Sequence, residues 1–119
     1  MLTILPAERQ DILSKENIEN SENITAFICA EDEKEIGYAV IKQNGYIIEI
    51  LSLCLNLENE SNNLIYYDSI LRAIGSFALN HSCFYVECSK IELFSTLSSL
   101  RFTENNSKMT ATLDRLLGH

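Results

Sequence analysis

Asn44-Gly45 stands between two β-rich runs, Glu35–Lys42 (EIGYAVIK) and Tyr46–Leu55 (YIIEILSLCL), and this constrains the chain more than any other feature. Asn-Gly between apolar runs is the strongest short hairpin signal, because both central residues of a tight hairpin turn need φ > 0. A turn at these two residues pairs Gln43 with Tyr46, Val40 with Glu49 and Tyr38 with Leu51. The return strand is apolar on both faces, which predicts a central strand covered on both sides. Upstream, Ile24–Ala30 (ITAFICA) is β-rich and reaches the hairpin through the acidic turn Glu31–Lys34. The three runs predict an antiparallel meander.

The flanks supply the other elements. Leu2–Leu5 reads as a first strand. Pro6 suits the first turn of a helix, where its missing N–H has no partner to lose, so a weak helix is expected over 6–15. KENIENSEN (Lys15–Asn23) is polar and loop-like. Leu64, Tyr67, Leu71, Ile74 and Ala78 recur at helical spacing and are joined by Ile70 and Phe77, which predicts a helix over 64–80 capped by Asn62 or Asn63. Cys83–Cys88 (CFYVEC) reads as a buried strand parallel to 46–55, since strand–helix–strand implies a crossover. Ser89 and Glu92 match a capping box opening a second helix to about Ser99. Lys108–Leu117 reads as a last strand.

Length and chemistry narrow the class. One Pro, four Gly and 119 residues without a repeat predict one domain spanning 1–119. Nine Lys and Arg against seventeen Asp and Glu exclude nucleic acid as an expected partner, because phosphate contacts need basic side chains. The acidic surface suits solubility, or a small cationic or amine substrate. No apolar run has the length of a membrane span, and the N-terminus lacks the pattern of a secretory signal, so a cytoplasmic protein is expected. Cys29, Cys54, Cys83 and Cys88 lie in apolar segments without CxxC spacing, and neither His81 nor His119 is placed to join them. Four free, mostly buried thiols and no metal are therefore expected. His81 follows a helix end and is expected to cap it.

The order of elements resembles the GCN5-related N-acetyltransferases (GNAT) over nearly the whole chain. EIGYAVIKQNGYIIEILSL is similar to that family's third and fourth strands. IELFSTLSSLRF (Ile91–Phe102) is similar to its "LYxKLGF" helix and turn, with Leu100 and Phe102 in place and Arg101 where Gly is usual. An unrelated α+β sandwich of the same elements is the alternative architecture. The resemblance implies a compact α/β acyl-CoA N-acyltransferase fold with a mixed sheet, acetyl-CoA as donor and a small amine as acceptor. It places cofactor contacts at Leu53 and Leu55 on the central strand and at Asn62, Asn63 and Leu64 where the next helix starts.

The family's pyrophosphate loop is patterned R/Q-x-x-G-x-G/A, so that backbone N–H groups approach the anion. The matching segment here, NLENESNNLI (Asn56–Ile65), has no Gly and no basic residue, and it carries Glu58 and Glu60. Weak acetyl-CoA affinity is the expectation. The N-terminal region has room for one short helix where the family has two. The helix Tyr that serves many GNAT enzymes as general acid would fall near Leu97, and no Tyr lies between Ile91 and Phe102. Tyr66 and Tyr67, at the start of the preceding helix, are substitutes by position.

Glu49 is the sharpest catalytic candidate. A carboxylate sharing a strand face with Ile47, Leu51 and Leu53 is either paired or shifted toward the pKa of a general base, and the resemblance implies a base on this strand. Tyr38, diagonal to Glu49 across the expected hairpin, is its expected partner, and a purely structural Glu49–Tyr38 hydrogen bond is the competing reading. Cys54 has nothing basic near it in sequence and reads as a small core residue. Two functions stay open: an N-acetyltransferase with Glu49 as base, or a non-catalytic GNAT-like domain that binds a ligand or partner protein.

Overall fold

In the computed structural model, which describes residues 1–56 and 63–117, seven strands form one mixed sheet in the order β1-β2-β3-β4-β5-β7-β6. In chain order the elements are β1 (Leu2–Ala7), α1 (Gln10–Lys15), β2 (Ile24–Glu31), β3 (Lys34–Asn44), β4 (Ile47–Leu55), α2 (Asn63–Asn80) and β5 (Tyr85–Cys88). A 3-10 turn (Ile91–Leu93) then leads to α3 (Phe94–Ser98), β6 (Thr103–Asn105), β7 (Lys108–Thr112) and α4 (Leu113–Leu116). As its two-sided apolar pattern predicts, β4 is the central strand, antiparallel to β3 and parallel to β5.

The hairpin differs from its expected register. Asn44 pairs with Ile47 and Gln43 with Ile48, so the turn residues are Gly45 and Tyr46. Gly45 has φ of +61° while Tyr46 does not enter the positive region, the pattern of a type II′ turn. Glycine alone supplies the left-handed residue, and Asn44 stays in the strand. A second departure lies further along: Val40 pairs with Ser52 but Ile41 with Ile50, so Leu51 is an extra residue on β4. Such a bulge reverses which face the following residues present.

Two of the tight turns have a residue pair at positive φ. Asp32 and Glu33 (φ +51° and +71°) join β2 to β3. Asn106 and Ser107 (φ +52° and +66°) join β6 to β7. The second hairpin replaces the single expected strand over 108–117, whose end is instead α4. Pro6 lies within β1 and not in a helix; β1 is an edge strand, where a missing N–H disturbs no ladder on its free side. The Ser89/Glu92 capping box does not form: Lys90 precedes the 3-10 turn and no side chain caps it.

The sheet has unequal covers. On one face α2, α3 and α4 enclose the main core, including Ile41, Ile48, Ile50, Ile70, Leu71 and Ile74. On the other, α1 alone covers Ala26, Tyr38 and Val40 with Ile12 and Leu13. Cys29, Cys83 and Cys88 are buried, Cys54 is half-buried, and all four are free. Burial pushes the thiols of Cys29, Cys83 and Cys88 above the ordinary range. His81 Nδ1 lies 2.8 Å from the Phe77 carbonyl, consistent with the expected capping role, and its ring stacks on Phe77. No helix among the described residues is long and apolar enough to cross a membrane.

Candidate active site

The site begins with a half-paired strand. β4 and β5 pair only at Ile47–Tyr85, Ile48–Val86 and Glu49–Glu87. Beyond Glu49, β4 runs on to Leu55 with no strand on its β5 side among the described residues. A strand edge without a partner offers backbone N–H and C=O groups to an extended ligand. The bulge at Leu51–Ser52 lies along this open stretch.

Glu49 sits just before it. Cross-strand it faces Lys42, laterally it adjoins Glu87, and its Oε2 accepts a 3.2 Å hydrogen bond from Asn44 Nδ2. This last contact draws the carboxylate toward the hairpin turn. The expected Glu49–Tyr38 partnership does not form, because the observed register pairs Tyr38 with Cys54. Lys42, opposite Glu49, is four residues from Tyr38, about 13 Å along a strand. Nor does Leu53 share a face with Glu49, although Leu51 does. After the bulge Leu51 packs with the α1-side cluster and Leu53 with the main core.

What surrounds Tyr38 instead is a polar cluster that the sequence did not mark. Ser52, on the bulge, is the one buried polar residue among the described residues, and its Oγ donates a 2.7 Å hydrogen bond to Glu16 Oε1. Burial, followed by the nearby Cys54 and Glu16, pushes the Tyr38 hydroxyl up to about 12. It is therefore a neutral donor at physiological pH. Lys15 Nζ lies 5.7 Å from the centre of the Tyr38 ring. Tyr67, on α2, has its hydroxyl raised by burial and by Cys54. Tyr66 and Tyr67 are both half-buried.

Glu16 owes its position to a helix-ending motif. It caps α1; the following Asn17 takes the left-handed conformation at φ +58°. Asn17 N–H bonds to Ser14 O at 3.2 Å and Ile18 N–H to Leu13 O at 2.8 Å, the pair of bonds that defines a Schellman cap. Ile18 and Leu13 both pack in the α1-side cluster, which completes the motif. The start of α1 is fixed by Arg9, which is ion-paired to Asp11 and Glu35. Those bonds hold Arg9 well above its ordinary pKa and, with Arg9 as the largest cause, lower that of Asp11.

Two cavities flank the cluster. A cleft of about 160 Å³ is lined by Arg9, Lys15, Glu35, Gly37, Tyr38 and Asn56 among others. A wider groove of about 830 Å³ runs between the end of β1, α1 and the start of β2. It lies open because α1 is the only helix between β1 and β2.

The positions suggested for cofactor contacts divide. Leu53 is buried in the main core and Leu55 packs at its margin, so only their backbone groups are free for a ligand. Asn63 opens α2 with a buried Oδ1 that has no hydrogen-bond partner among the described residues, and Leu64 is exposed. Asn62, Glu58 and Glu60 lie outside the described residues. A basic group distant in sequence does approach α2: Asp68 holds Arg101 at 2.9 Å as well as Arg72, one turn along the same helix. Arg101, at the family's Gly position, has φ of +77°. No group of three His, Cys, Asp or Glu side chains suited to a metal occurs among the described residues.

No family model matches the chain. No curated protein matches it either. Solved structures do. The ribosomal-protein-S18-alanine N-acetyltransferase of Escherichia coli superposes with a TM-score of 0.70 at 13% identity, covering 95% of this chain and 94% of that one. A Bacillus subtilis acetyltransferase in complex with CoA gives 0.67 at 11% identity, covering 94% and 99%. N-acetylglutamate synthase from Neisseria gonorrhoeae, complexed with coenzyme A and N-acetyl-glutamate, gives 0.71 at 14% identity over 95% of this chain and 35% of that one. The mixed seven-stranded sheet, its central parallel pair and these superpositions together establish that this chain has the fold of the GCN5-related N-acetyltransferases.

Proposed function

We propose that this protein binds an acyl-CoA thioester along the open half of β4 and transfers the acyl group to a small amine that approaches from the α1 face. The observation that carries the reading is the separation of β4 from β5 after Glu49, which leaves β4 an edge next to a bulge. The pantetheine arm of CoA is an extended chain with two amides, and such a chain can pair with the free backbone groups of a strand edge. Two of the similar structures hold CoA, which supports the donor class. The acceptor class rests on charge: the chain is at −8, and the carboxylates of Glu16 and Glu49 stand on the α1 side of β4. Glu49 is the base that the family pattern designates for deprotonating the amine, and Glu16 is the other carboxylate on this face.

A non-catalytic ligand- or partner-binding domain is the second reading, favoured by Glu58 and Glu60 in the segment that should hold a pyrophosphate. Calorimetric titration with acetyl-CoA, followed by thiol-release assays on polyamines, lysine and unblocked peptides, separates the two. Weak but saturable binding with turnover is expected. Binding without turnover on any amine supports the second reading, and no binding at millimolar acetyl-CoA removes the first.

A further inference from the structure

We propose that Glu16, held by Ser52 at the β4 bulge, is the carboxylate that takes the proton from the acceptor amine. This rests on the acyl-transfer reading above and names its base.

Position decides which carboxylate can serve as the base. It must come within hydrogen-bond reach of the attacking nitrogen, directly or through one water. The thioester carbon of a ligand paired to the open half of β4 lies beside that stretch, beyond Glu49. Ser52 is three residues past Glu49, about 10 Å along the strand. Glu49 is also turned the wrong way, toward Asn44 and the hairpin. Glu16 reaches the bulge itself, 2.7 Å from Ser52 Oγ.

The surroundings of Glu16 fit the task. The Ser52 hydroxyl is a donor to the Glu16 carboxylate and fixes its orientation, and the Tyr38 hydroxyl, raised by burial and in part by Glu16, lies in the same cluster. A serine that is buried in an otherwise apolar strand face is hard to explain by packing, and Glu16 supplies the reason for it. The Schellman cap fixes the backbone of Glu16, so the carboxylate is placed in advance by the fold. The charged neighbours are Lys15 on α1, close to the Tyr38 ring, and Arg9, whose charge is shared between Asp11 and Glu35. Cys54, half-buried, is the cross-strand partner of Tyr38.

The chemistry balances without a further reactant. The acceptor arrives as an ammonium ion. Glu16 accepts one N–H proton and passes it to solvent. The free amine attacks the thioester carbonyl, the C–N bond forms and the C–S bond breaks. The second N–H proton, lost from nitrogen in that step, ends on the CoA sulfur.

The test is turnover of acetyl-CoA with the responding amine, measured with acetyl-CoA affinity on the same variants. Glu16→Gln keeps the size and an acceptor oxygen for Ser52. It is expected to lower kcat by about 10²–10⁴-fold, the usual worth of a general base, while the acetyl-CoA Kd stays within about twofold. Glu16→Asp is expected to recover part of the loss, and Ser52→Ala to fall between it and the wild type. Glu49→Gln is expected to lower kcat by less than Glu16→Gln does. A Glu16→Gln variant with near-wild-type kcat overturns the assignment, as does a larger loss in Glu49→Gln than in Glu16→Gln. A wild type that binds acetyl-CoA but acetylates no amine also overturns it. Failure of the wild type to bind acetyl-CoA removes the acyl-transfer reading instead.

Discussion

The two faces of this sheet are made from the same strands by simple alternation, yet they are built to different specifications. On the α2 face, Ile41, Ile48, Ile50, Ile70, Leu71 and Ile74 are almost fully buried, and the core they belong to has only apolar and thiol side chains. On the α1 face a helix of six residues covers a small cluster, and polar groups enter it: Glu16, Ser52 and Tyr38. The bulge at Leu51 is the switch between them, since it turns Ser52 toward the thin cover. Because side chains alternate across a strand, the two faces can be altered almost independently. A protein with marginal stability gains from such a separation: one face can carry desolvated polar groups while the other supplies the burial that tolerates them.

The largest expected effect is on the thick face. Leu71→Ala removes a fully buried side chain from α2 and should cost about 2–5 kcal/mol, read from the denaturant midpoint. Leu13→Ala on the thin face should fall at the low end of that range or below it, because its surroundings are smaller and more open. Equal losses from the two truncations would show that the faces do not differ as described.

Gly37→Ala is next. A Cβ there would stand 2.5 Å from the Cys54 carbonyl oxygen and 2.6 Å from Leu55 Cδ2. β3 and β4 must separate at the open end of β4, so a loss of about 1–3 kcal/mol is expected. A fall in acetyl-CoA affinity should accompany it. Loss of stability with affinity unchanged would detach that end of β4 from the ligand.

The smallest effect should come from Arg101→Gly. The change relieves a left-handed Arg but loses a half-buried ion pair to Asp68 and frees the unfolded chain. These terms oppose one another, and the melting temperature should move by no more than a few degrees. A shift much larger than that would mean that Asp68, Arg72 and Arg101 act as a cooperative network and not as separate surface pairs.

Much of the frame was legible because it follows from pattern. An apolar run on both faces can be satisfied only in the middle of a sheet, and β4 is there. The turn chemistry was read in part: Asn44-Gly45 marked the hairpin, but only Gly45 needed φ > 0, and the turn moved by one residue. The β6–β7 hairpin was missed because Asn106-Ser107 carries no Gly, although Asn tolerates the left-handed region. The bulge left no mark in the sequence, and it decided which side chains meet. The face assigned to Leu53, and the partner assigned to Glu49, failed for this reason and because of the shifted turn. Glu16 was illegible for a different reason. It sits in a polar run whose carboxylates look alike, and only the sequel Asn17-Ile18, a left-handed residue followed by an apolar one, hints that the helix ends in a cap that turns Glu16 inward.

The open half of β4 has a signature in time as well as in space. Successive amides of a strand point alternately to its two neighbours. From Ile50 to Leu55, the amides aimed at β3 are locked in a ladder, and those aimed away have no strand to meet among the described residues. Hydrogen exchange along this stretch should therefore alternate, slow and fast, within a single strand. A ligand that pairs with the open edge would slow only the fast set, so the exchange pattern before and after its addition would trace, amide by amide, the line along which it lies.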